Sequence, residues 1–126
     1  MPNRTKEQQE FNKILGQTEA IQKRINDLVG DNSSGLAKGI QDSAINAQSL
    51  VKALNAANKA TKEEVNIATD LTKKVEEFAK KQGKVTEGKK ISLDFDELML
   101  KAQKANNKEL LQEVKNVKRA QTLANL

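Results

Sequence analysis

The stretch TKEEVNIATDLTKKVEEFA, residues 61–79, decides the fold. Its apolar residues Val65, Ala68, Leu71, Val75, Phe78 and Ala79 recur at steps of three and four, which gathers them on one face of a helix and leaves Lys and Glu on the other. Thr61 stands three residues before Glu64. That is the spacing of a capping box, in which hydroxyl and carboxylate each satisfy the other residue's backbone N–H. Gly83 follows the last apolar residue, where a left-handed residue closes a helix. The segment therefore reads as a helix over 61–82 with one buried face, and it needs partners to cover that face.

The same pattern repeats on both sides. Residues 5–29 carry Phe11, Ile14, Leu15, Ile21, Ile25, Leu28 and Val29 at helical spacing, with Thr18 filling the turn between. Thr5 and Gln8 are spaced as a capping box, and Gly30 follows the last apolar pair. Residues 31–35, DNSSG, form a loop of turn and cap residues. Residues 34–59 present Leu36, Gly39, Ile40, Ser43, Ala44, Ala47, Leu50, Val51 and Leu54, a stripe whose middle is made of small residues. Small residues let a neighbouring backbone come close, but they bury little area at about 25 cal/mol per Å². This second helix is expected to be central and weakly held.

The last segment runs over 94–125, with Asp94 and Glu97 in capping-box spacing. Met99, Ala102, Asn106, Leu110, Val114, Val117 and Ala124 share a face if the helix is continuous. Asn106, beside Asn107, then falls on the buried stripe, so either the helix kinks there or an Asn makes a buried hydrogen bond. Leu93 and Phe95 are expected to cover the end of the bundle. The first two connections are short, which makes successive helices antiparallel neighbours. The expected fold is all-α: a single domain forming an antiparallel up-down-up-down four-helix bundle, with helices over 5–29, 34–59, 61–82 and 94–125 and a basic loop over 83–92.

Composition narrows the chemistry. The 126 residues contain no His, Cys, Trp or Tyr and three Phe. The usual general base, thiol nucleophile and soft metal ligands are absent. Di-iron bundles use Glu-x-x-His pairs and a phosphorelay bundle uses a His, so neither fits. The carboxylates Glu63/Glu64, Glu76/Glu77 and Asp94/Asp96/Glu97 read as helix-dipole or solvated charges. No enzyme activity, cofactor or metal is expected. No apolar run is long enough to cross a membrane and no apolar leader precedes the first helix, so a cytoplasmic location is expected.

The formal net charge is +5, and residues 80–90 hold five Lys against Glu87, or +4 of it. Lys80, Lys81, Lys84, Lys89 and Lys90 form a candidate surface for anionic lipid. Nucleic acid is the weaker reading, because no aromatic residue is interleaved for base stacking. The second candidate surface is the stripe Leu36, Ile40, Ala44, Ala47, Leu50, Val51 and Leu54. Amphipathic helices recognise partners through anchors at this spacing, and a helix that serves as core in a closed bundle can do so when the bundle opens.

The pattern L-x-x-G-I-x-x-S-A-x-x-A-x-x-L-V-x-x-L, Leu36 to Leu54, resembles the vinculin-binding helices of talin. SLVKALNAANKA, residues 49–60, is similar to the Ala-rich helices of talin-type rod and actin-binding modules. LDFDELMLKAQ, residues 93–103, and the ending AQTLANL resemble the last helix of focal-adhesion-targeting bundles. Gly39 and Ser43 depart from the pattern, since talin helices carry Ala or Val there. The resemblance implies a cytoskeletal or adhesion-scaffold interaction module with a helical protein partner, and it implies the second helix as the surface presented; the alternatives are a peripheral module that binds anionic lipid through the Lys-rich loop, or a structural or regulatory bundle of a trafficking protein or microbial effector.

Overall fold

The structure, a computed structural model, describes residues 2–29, 35–82 and 92–124. Among them are five helices: α1 (Pro2–Val29), α2 (Gly35–Ala56), α3 (Lys62–Gln82), α4 (Asp96–Lys104) and α5 (Lys108–Ala124). The all-α expectation stands, with no strand among the described residues. The four-helix count does not, because the expected last helix is two helices. α1 also begins at Pro2, so Thr5 lies inside it rather than at its cap. Gly30, the loop 31–34, Gly83 and the segment 83–91 lie outside the described residues.

Side-chain pairs fix the helix directions. Gln8 of α1 meets Asn55 of α2, and Asn26 meets Gln41, so these helices are antiparallel. α2 runs antiparallel to α3 from the turn at 57–61, with Gln48 opposite Thr72. α1 and α3 therefore run the same way, joined by Arg24 and Glu76. α4 and α5 form an antiparallel hairpin, with Leu93 opposite Gln121 and Asp96 opposite Lys118. α3 is the hub and packs against all four other helices. α2 packs against α1, α3 and α5, whereas α1 has only α2 and α3 as neighbours among the described residues.

The buried residues follow from this arrangement. α1 buries Phe11, Leu15, Thr18, Ile21, Gln22 and Ile25, the seam of a helix with one packed side. Leu28, expected in that seam, is 47% exposed. α3 buries Glu64, Val65, Ile67, Ala68, Leu71, Thr72, Val75 and Phe78, a wider arc than one stripe, because it serves neighbours on several sides. Phe95 is buried and Leu93 packs against the same core, as expected for residues closing the bundle. The Phe95 ring also carries the Lys74 ammonium 5.9 Å from its centroid.

Two helices stop in the same way, on asparagine. After α2, Asn58 adopts φ 58°, its N–H donates to Asn55 O and the Lys59 N–H donates to Leu54 O. After α4, Asn106 adopts φ 59°, its N–H donates to Gln103 O and the Asn107 N–H donates to Ala102 O. This is the Schellman arrangement with Asn in the left-handed position. The second stop breaks the expected fourth helix and turns Asn106 to solvent, off the buried stripe. Asn107 then caps α5, its Oδ1 accepting from the Leu110 N–H at 3.0 Å.

The expected capping box at Thr61 is present. Thr61 N–H donates to Glu64 Oε1 at 3.0 Å, and Glu64 N–H donates to Thr61 Oγ1 at 3.2 Å. The one expected at Asp94 and Glu97 is not. α4 begins on Phe95 with no side-chain cap, and Asp94 instead accepts from the Asp96 N–H at 2.9 Å, a local Asx turn.

Candidate interaction surface

α2 is the least charged helix of the bundle. Its 22 residues include only Lys38, Asp42 and Lys52 as charged groups, against ten in the 21 residues of α3. That composition suits a helix with neighbours on three sides. Ile40, Ala44, Ala47 and Val51 are fully in the core, and Leu50 and Leu54 are half-buried at its margin. The side chain of Leu36 lies outside the described residues. The candidate partner stripe is thus core in the closed bundle. Its outward side shows Ile45, at 40% exposure, with Ser49, Ala53 and Ala56, none of them charged.

Polar residues interrupt the packing of α2 on every side. Facing α3, Gln48 Nε2 donates to Thr72 Oγ1 at 3.1 Å, and the Thr72 hydroxyl donates to Ala68 O. This buried pair is satisfied. Facing α1, Asn55 Nδ2 donates to Asn12 Oδ1 at 2.5 Å, Gln8 donates to Asn55 O at 2.8 Å and Gln41 donates to Asn26. Lys52 pairs with Glu19 at the surface. Facing α5, Ser43 and Asn46 hydrogen-bond Glu113. Burial pushes the Glu113 carboxyl above the usual glutamate range, and these two bonds draw it part of the way back.

Three buried side-chain oxygens among the described residues accept no hydrogen bond: Gln22 Oε1, Asn55 Oδ1 and Glu113 Oε2. All three border α2. Asn55 is on it, Gln22 reaches Asn26 beside Gln41, and Glu113 touches Ser43 and Asn46. A buried polar atom without a partner costs roughly 1–3 kcal/mol. The seams around α2 therefore combine small apolar area with unpaired acceptors. Sequence periodicity flagged the small residues and missed Gln22, Gln48, Asn55 and Glu113. An amide or carboxylate on an expected helix carries no signal of which neighbour will bury it.

The basic residues divide. Lys80 and Lys81 are exposed in the last turn of α3, where cations favour the negative end of the helix dipole, and Lys80 lies 3.9 Å from Glu76. Lys84, Lys89 and Lys90 lie outside the described residues. Members of each carboxylate set have structural partners: Glu76 takes Arg24 at 2.6 Å, Glu97 takes Lys101 at 3.4 Å and Asp96 takes Lys118 at 2.7 Å. Glu64, only 8% exposed, accepts the Asn107 amide on Oε2 at 2.6 Å besides capping α3, which ties the start of α3 to the α4–α5 elbow. No helix among the described residues is long and apolar enough to cross a membrane.

No protein-family model matches the chain, and neither a curated protein nor a solved structure is similar to it by sequence or by fold.

Proposed function

We propose that this chain is a non-catalytic protein-interaction module of the adhesion-scaffold kind, which works by making α2 available to a helical partner when the bundle opens. One observation carries the reading: the three buried oxygens that lack a hydrogen bond all surround α2. Opening the seam of α2 with α1 or with α5 hydrates at least one of them, which offsets part of the cost of exposing Ala44, Ala47 and Val51. The exposed helix then offers Ile40, Ala44, Ala47, Val51 and Leu54 at the spacing of a helix laid in a groove. The resemblance of Leu36–Leu54 to the vinculin-binding helices of talin supports the same helix.

A labelled peptide covering residues 35–58 tests this by fluorescence anisotropy against a vinculin head domain. Saturable binding is expected, weakened at least tenfold by Val51→Asp. Binding no tighter than that of a scrambled peptide sinks the proposal.

A further inference from the structure

We infer that the α4–α5 hairpin is the part that leaves first, separating from α2 along the Glu113 seam while α1, α2 and α3 remain packed. This deepens the proposed function and rests on it.

The hairpin is tied within itself. Gln121 donates to Leu93 O at 3.0 Å and accepts from the Leu93 N–H at 2.8 Å, and Lys118 reaches Asp96 at 2.7 Å. Those bonds survive if the hairpin moves as a unit. α1 neighbours neither α4 nor α5 among the described residues, so nothing of its packing is lost. Its interface with α3, the most extensive in the bundle, holds the remaining three helices together. Between the hairpin and the rest, the seam with α2 holds Glu113, whose Oε2 is buried without a donor. The hairpin is also tied to α3, by Asn107 to Glu64 at the elbow after α4 and by Phe95 beneath Lys74 at the start of α4. Separation hydrates the Glu113 carboxylate, the one charged group among the described residues with a buried unpaired oxygen; the Lys52–Glu19 pair on the α1 side is exposed already.

Native-state hydrogen exchange of the full chain near neutral pH tests this. Amides of α4 and α5 are expected to exchange through one shared opening, at least tenfold faster than those of α1 and α3. Glu113→Gln, which takes the charge out of the seam, is expected to slow α4 and α5 together by about tenfold, the scale of one charged group held without a full set of donors, and to leave α1 within about twofold. Earlier opening of α1, separate openings for α4 and α5, or equal slowing across all helices overturns the inference. No partner enters this experiment, so its failure is distinct from failure of the α2 peptide to bind.

Discussion

The tie from Glu64 to Asn107 gives the most discriminating test of how the elbow is held. Glu64 serves three donors: the Thr61 N–H and hydroxyl on Oε1, and the Asn107 amide on Oε2. A hydrogen bond to a charged group contributes about 1.5–3 kcal/mol. Thr61 is exposed and Asn107 half-buried, so water replaces part of each bond once the carboxylate is gone. Glu64→Ala should therefore cost about 3 kcal/mol, a large share of the roughly 5–15 kcal/mol of a domain. Glu64→Gln keeps a capping box and should cost about 1 kcal/mol. Asn107→Asp separates cap from tie. Its carboxylate still caps the Leu110 N–H and suits the start of α5, but it faces Glu64 Oε2 across the 2.6 Å now bridged by an amide proton. It should destabilise by about 2 kcal/mol in the native background and by less than half of that beside Glu64→Gln. Urea unfolding followed by circular dichroism at 222 nm measures the native protein, the three single variants and the double variant. Coupling below about 0.5 kcal/mol would mean that the two side chains act independently and would refute the tie.

Three further outcomes follow from other sites. The raised Glu113 carboxyl is a stabilising influence when protonated: its contribution is complete below the unfolded value near 4.5 and is lost as pH rises through the folded one. Glu113→Gln should therefore flatten the decline in stability between about pH 4.5 and neutrality, and unfolding midpoints across that range in both proteins check it. Gly16 lies inside α1, and an added Cβ would meet nothing within 4 Å; Gly16→Ala should stabilise by about 0.5–1 kcal/mol in urea unfolding. Asn106 holds φ 59°, so Asn106→Ala should cost about 1 kcal/mol and Asn106→Gly should be neutral or stabilising, a ranking that thermal midpoints resolve.

The stripes of α1, α2 and α3 were legible because apolar spacing reports directly on a helix with one packed side. Phe11, Leu15, Ile25, Val65, Leu71, Val75 and Phe78 are all buried where the spacing puts them. Reading failed where burial depends on more than one neighbour. Ile67 and Thr72 lie off the main stripe of α3 and are buried because α3 is packed from several sides. Glycines are the stop signals that the sequence offers, yet α2 and α4 stop on Asn58 and Asn106. The Asn106-Asn107 doublet did mark a kink or a buried hydrogen bond. Its full meaning, a left-handed stop followed by an N-cap, depends on Glu64, 43 residues earlier, waiting to receive the Asn107 amide. At the candidate surface, the sequence identified α2 and its small residues, while the unpaired oxygens around it arise only from packing.

The partnership of α1 with α3 has a consequence for synthesis on the ribosome. Arg24 and Glu76 lie 52 residues apart, and α1 packs most extensively against the same distant helix. At roughly 5–20 residues per second, the chain needs about 3–10 s to add the residues that complete α3 after α1 has emerged. For that interval Phe11, Leu15, Ile21 and Ile25 have only α2 to shelter them, across an interface that carries the amides of Gln8, Asn12, Asn26, Gln41 and Asn55. The nascent chain is then most exposed to chaperones and to premature association, well before the finished bundle has any seam to open.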